Sequence, residues 1–162
     1  MQKELSSIEK VRFSDCDPIG HLNNVKYLEY MLNAREDHVE SGYGFTYEEY
    51  TKRTGCTWVT LQNEIAYLKE VRYNAKVMIT SKTIDLGDRL SKVEILMKSE
   101  DGKTIHSVLW LTVIYFNMKT RSSESHPEDT KELFQKFLVN LEEKDFQSRV
   151  ASLRKQNKSA SK

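Results

Sequence analysis

Residues 104–117 read TIHSVLWLTVIYFN, an almost unbroken apolar run. A strand of that composition belongs at the centre of a sheet, because neither of its faces suits water. Three strand-like runs precede it, at about residues 58–68, 75–85 and 91–99. LGDRL joins the second run to the third and EDGK joins the third to the fourth, both with hairpin chemistry. The sheet is therefore expected to be antiparallel.

Upstream, residues 7–13 give a first strand signal, with Ile8, Val11 and Phe13 among charged residues. DCDPIG follows, a turn-forming run of Asp, Pro and Gly. A long helical pattern then covers about residues 23–41, with Val25, Leu28, Leu32 and Val39 at helical spacing and Tyr27, Met31 and Ala34 beside them. Asn23 or Asn24 suits the N-cap and Gly42 the stop. His126–Pro127 opens a short helix with Leu133, Phe134, Phe137, Leu138 and Leu141 on one face. From Glu142 the periodicity weakens, and RKQNKSASK is expected to be disordered. The order of strand, helix, four strands and short helix predicts an α+β domain with one long helix against the sheet. It covers residues 1–141 and leaves 142–162 as a charged extension.

The 162 residues fit one domain. With 25 basic and 24 acidic residues, the net charge of +1 offers no global field for nucleic acid or a membrane surface. No apolar run approaches a membrane span, and MQKELSSIEKVRF lacks a signal-peptide core. Cys16 and Cys56 have neither metal-ligand nor redox spacing. A cytoplasmic protein with two reduced thiols is expected.

The chemistry is concentrated in DCDPIGHLNNVKYLEY, which places Asp15, Asp17 and His21 in a turn feeding a helix. Unpaired N–H groups at a helix start carry positive potential and polarise a carbonyl placed against them. A carboxylate beside them attacks that carbonyl or activates a water. Gly20 lets the backbone approach a ligand closely. The combination suits acyl transfer, especially from a thioester.

VRFSDCDPIGHLNNVKYLEYMLNARE resembles the signature of the 4-hydroxybenzoyl-CoA thioesterase-like branch of the hotdog superfamily, an Asp-x-Asp-x-x-Gly turn before an aromatic-rich helix. HLNNVKYLEY is also similar to the matching segment of acyl-CoA and acyl-ACP thioesterases. The resemblance extends, more weakly, to about Phe134. It implies a hotdog fold, with an antiparallel sheet wrapped around one long helix. It also implies an acyl-CoA thioesterase that needs no cofactor. Asp17 then matches the catalytic carboxylate, as nucleophile or general base. Asn24 matches the residue whose backbone N–H polarises the carbonyl, and His21 the histidine that orients water or assists proton transfer. Ile19 stands where plant acyl-ACP enzymes carry a functional Asn, which favours the simpler Asp-centred mechanism. Arg89 and Lys92 match the basic hairpin positions that contact coenzyme A phosphates. Asp88 and Leu90 stand where some relatives are basic, so an acyl carrier protein stays open as the carrier. The resemblance further implies a homodimer, or a homotetramer, with sheets joined edge to edge. A non-catalytic acyl-thioester-binding module on the same fold is the alternative.

Other readings of these residues are weaker. An EF-hand loop starting at Asp15 would place Ile19 and Lys26 where oxygen ligands are required, which excludes calcium. The four histidines lack paired zinc spacing. Asp15 is assigned to the turn. Cys16, between two carboxylates, is expected to have a raised thiol pKa and to be no nucleophile.

Overall fold

The computed structural model describes residues 1–161. Five long elements carry the sheet. They are β1 (Leu5–Lys10), β2 (Cys56–Tyr67), β3 (Lys76–Leu86), β4 (Leu90–Ser99) and β5 (Ile105–Asn117), with a short β6 (Ser122–Ser123) on β5. All pairs are antiparallel and the strand order is β1-β3-β4-β5-β2. The unbroken apolar run is β5, which is paired along both edges, to β4 and to β2.

The helix α1 (Asn24–His38) crosses one face of this sheet. Tyr27, Met31 and Ala34 pack there against Val93, Ile95 and Met97 of β4 and Leu109 and Leu111 of β5. The buried stripe of α1 runs Tyr27, Met31, Ala34, Arg35 and His38, whereas Val25 is 74% exposed. The inward face is thus rotated from the one that apolar spacing predicts. The helix also overruns Gly42, passing into a π-helical turn at Val39–Tyr43 and ending at left-handed Gly44. Gly42 lies close to the end of the Leu5 side chain, 2.5 Å from where a Cβ would stand, so a larger residue there would have to displace Leu5.

Two helices were not anticipated. The first, α2 (Tyr47–Thr54), starts with a complete capping box between Thr46 and Glu49. After the expected α3 (Glu128–Phe137) comes α4 (Phe146–Ala160), in the segment set apart as a charged extension and running into the stretch expected to be disordered. Instead, Phe146, Val150 and Leu153 of α4 pack on Leu96, Val108 and Trp110, the sheet face opposite α1. Both faces of β5 are therefore covered. Lys162, the last residue of that segment, lies outside the described residues. Among the described residues no helix is long and apolar enough to cross a membrane.

His38 is 2% exposed and hydrogen-bonds Ser7 Oγ at 2.9 Å and Ser81 Oγ at 2.7 Å. Burial first, and the Arg35 charge second, push its pKa down to about 4 from the usual 6.5. Below the usual value the unfolded chain takes up a proton that the folded chain refuses, so stability falls as pH falls. The loss is expected to be about 2 kcal/mol between about pH 7 and pH 5. Urea denaturation at the two pH values, with His38→Gln removing most of the difference, checks it.

Candidate active site

The turn before α1 is held by backbone bonds at every side. Asp17 N–H donates to His21 C=O at 2.8 Å, Leu22 N–H to Val71 C=O at 2.8 Å and Tyr73 N–H to Gly20 C=O at 2.8 Å. Asn23 N–H donates to Asp15 C=O at 3.0 Å, which fixes the turn against the helix start. Gly20 sits at φ +81°, a left-handed conformation that a Cβ would strain.

Within this frame Asp17 Oδ1 accepts from Ile19 N–H and His21 N–H, both at 3.0 Å. Among the described residues, Oδ2 has no protein donor. One oxygen is pinned and the other is free to act. The start of α1 is bare as well. Its N-cap, Asn23, makes no side-chain capping bond, so the first N–H groups of the exposed Asn24–Val25 pair are left for a ligand. Those N–H groups and the helix dipole form a site for a carbonyl oxygen or an oxyanion.

His21 lies on the same turn, with Nδ1 3.3 Å from Glu70 Oε2. Asp17 and His21 are joined directly, by the His21 N–H to Asp17 Oδ1 bond and the Asp17 N–H to His21 C=O bond, and Asn24 follows at the start of α1. Three supporting residues were missed because they come from remote segments or one helical turn on. Glu70, in the loop after β2, lies within ion-pair distance of His21. Tyr67, at the end of β2, donates to Asn24 C=O at 3.1 Å. Tyr30 donates to Asp15 Oδ2, and burial, then that carboxylate, push its pKa up to about 12, so it remains a donor. Asp15 is thus occupied by Tyr30 and by Lys26 at 3.8 Å, in agreement with a structural role. Burial first, then Asp17 and Asp15, raise the Cys16 thiol, as expected. Glu64 pairs with Trp110 and points away from α1, since its neighbour Ile65 packs in the α1 core.

Arg89 and Lys92 are not brought to this turn within one chain. Arg89 lies on the β3–β4 hairpin, at the opposite end of β3 from Asp17, where it donates to Ser123 C=O and Oγ at 2.9 Å. Lys92 lies 5.1 Å from the Trp110 ring on the α4 side of the sheet. Among the described residues no cluster of His, Cys, Asp or Glu is arranged to hold a metal ion.

Comparison with known proteins bears on the fold and the family. Residues 11–134 match the thioesterase-like superfamily, a span that contains the Asp17 turn, α1 and the five long strands except β1. No curated protein matches the chain. Among solved structures, the DHNA-CoA thioesterase of Staphylococcus aureus superposes with a TM-score of 0.73 at 19% identity, over 82% of this chain and 89% of that one. The probable thioesterase YbaW of Escherichia coli gives 0.73 at 19%, over 83% and 99%. The 12:0-ACP thioesterase of Umbellularia californica gives 0.74 at 14%, over 86% of this chain and 52% of that one. At such identities these likenesses establish the fold, a curled antiparallel sheet around a long helix, while the match over residues 11–134 establishes the family: the chain is a hotdog-fold member of the thioesterase-like superfamily.

Proposed function

We propose that the chain is a cytosolic acyl-CoA thioesterase. The observation that carries this reading is the uncapped start of α1 beside a carboxylate with one oxygen pinned and one free. The thioester carbonyl oxygen sits against the N–H groups at Asn24 and Val25. Asp17 takes a proton from a water that attacks the acyl carbon, or attacks that carbon itself to form a mixed anhydride that a water then hydrolyses. The C–S bond breaks, the thiolate leaves and collects a proton, and the acid is released. His21, steadied by Glu70, orients the water. No cofactor takes part.

Release of free thiol from aromatic, short-chain and long-chain acyl-CoAs tests the reading. Turnover of at least one class is expected. Binding without cleavage of any thioester would point instead to an acyl-binding module, and cleavage of acyl carrier protein thioesters alone would change the carrier.

The active unit is proposed to be a homodimer joined through β2. This strand is one of the two sheet edges, and it exposes Val59 at 39% and Leu61 at 58%. Such an edge invites pairing with a second copy. Antiparallel pairing sets the Cys56 end of one β2 beside the Tyr67 end of the other. The Arg89 hairpin of the second copy then approaches the Asp17 turn, where its charge meets a coenzyme A phosphate. Lys92 would add charge only from the far face. The double variant Val59→Lys, Leu61→Lys is expected to sediment as a monomer and to lose turnover. A wild type that sediments as a monomer would overturn the assembly.

A further inference from the structure

Two buried arginines in this fold are treated differently. Arg149 is 8% exposed and grips the Glu94 carboxylate with two bonds of 2.7 Å. Arg35, on the inner face of α1, is 4% exposed; its hydrogen-bond partners are all neutral oxygens, and its guanidinium lies 5.0 Å from the centre of the Tyr43 ring. It donates from Nη1 to Ser81 Oγ at 3.0 Å, and from Nη2 to Tyr43 Oη at 3.1 Å and Thr83 Oγ1 at 3.4 Å. Among the described residues, no carboxylate lies within ion-pair distance of it. A cation removed from water without a counter-charge is costly, and breaking up such pairs destabilises proteins for that reason.

Three bonds leave part of a five-donor guanidinium unused. Nε makes no hydrogen bond, and no sealed side-chain nitrogen lacks a partner among the described residues, so Nε reaches accessible space. Arg35 lines a cavity of about 40 Å³ with Thr83, Ser91 and mainly apolar side chains, Val93, Leu111 and Phe134 among them. It adjoins a groove of about 330 Å³ between α1 and β2, with Glu36 and Thr60 on its polar side, and the two share Arg35, Tyr47, Trp58, Leu111 and Val113. Arg35 stands eleven residues beyond Asn24, about 16 Å along the helix at the usual rise.

We propose that Arg35 binds a carboxylate at the far end of the acyl chain, so that the preferred substrates are half-thioesters of medium-length dicarboxylic acids. This rests on the thioesterase reading above. The chain's methylenes lie in that groove against Leu32, Trp58, Leu111 and Val113. Its terminal carboxylate supplies the counter-charge that the fold withholds, in a charge-assisted pair suited to guanidinium geometry.

The test compares adipoyl-, suberoyl- and sebacoyl-CoA with hexanoyl-, octanoyl- and decanoyl-CoA. Wild type is expected to favour the best dicarboxylyl substrate over its plain counterpart by at least about tenfold in kcat/KM. Arg35→Met is expected to abolish that ratio by raising KM for the dicarboxylyl substrates, whereas a purely structural arginine would lower both series together. If Arg35→Met does not fold, the wild-type ratio and Arg35→Lys decide. Plain acyl-CoAs cleaved as fast as the dicarboxylyl series would overturn the proposal and leave the thioesterase reading intact. Calorimetric titration with monomethyl suberate against methyl octanoate separates the opposite case. If no thioester is cleaved but the acid alone binds, and binds through Arg35, the site stands and the hydrolase does not.

Discussion

Replacing Asp17 by asparagine is expected to lower kcat for acyl-CoA hydrolysis by about 10²–10⁴-fold, the range typical of a positioned acid–base group. Oδ1 of Asp17 already accepts two backbone N–H bonds, and an asparagine carbonyl oxygen replaces it there without disturbing the turn. What disappears is the negative charge on the second oxygen, which neither attacks nor deprotonates as an amide. KM should move little, because the N–H groups at the α1 start that receive the carbonyl are untouched. Initial rates on the best acyl-CoA, together with an unchanged thermal midpoint, measure this. Wild-type turnover by the asparagine variant would remove Asp17 from the mechanism. Single turnover in ¹⁸O-labelled water then distinguishes the two roles, since only the nucleophile route delivers label into the Asp17 carboxylate.

The largest expected loss of stability comes from Arg149→Met, about 3–5 kcal/mol by urea denaturation, the usual cost of orphaning a buried charge. Glu94 is 1% exposed and its carboxylate accepts from Arg149 twice and from Trp110 Nε1 at 2.9 Å, with Lys82 at 3.5 Å. Remove the guanidinium and Lys82 and Trp110 alone face that charge. The double variant Arg149→Met, Glu94→Leu should recover part of the loss, because no orphaned charge remains. Burial pushes the Glu94 pKa up, but hydrogen bonds and charge from Arg149, helped by Trp110 and Lys82, more than offset it and hold it below 4.5. A depressed carboxyl stabilises the fold fully above its unfolded pKa, and the contribution is lost as pH falls through the folded value. Wild type should therefore lose stability on acidification below about pH 4.5, and the double variant should lose less.

The same pair shows why the C-terminal helix was illegible. Phe146, Val150, Leu153 and Asn157 lie on one face of α4, with Arg149 beside them. Counted by hydrophobicity, that stripe is thin, and RKQNKSASK reads as solvated chain. In the fold the polar members are inside because distant partners satisfy them. Arg149 takes Glu94, and the Asn157 amide closes the start of β5, accepting from Ile105 N–H at 2.8 Å and donating to Ile105 C=O at 2.9 Å. The apolar run of β5 did hold a clue, since a strand apolar on both faces needs two covers and the sequence analysis supplied one helix. The capping box of α2 was equally open to reading, Thr46 and Glu49 standing three residues apart.

For α1 the error was of rotation. Helical periodicity located the helix, but ranking by apolarity put Val25 inward and left out Arg35 and His38, whose hydrogen-bond partners Ser81 and Thr83 lie on β3.

The candidate site was legible where its parts are adjacent in the chain. Asp17, Gly20, His21 and Asn24 lie within eight positions, so turn chemistry and the helix start bring them together. Glu70 and Tyr67 belong to the end of β2 and the loop after it, and only the closing of the sheet beside α1 delivers them. The amino-acid sequence by itself determined the strand periodicity, the hairpins, the long helix and the carboxylate turn at its start, because each is set by interactions between near neighbours. Only the tertiary structure decided which polar side chains are interior: Glu94 with a counter-charge, Arg35 without one. The reason is that the free energy of a buried polar group depends on its partner, and those partners lie up to 55 residues away along the chain.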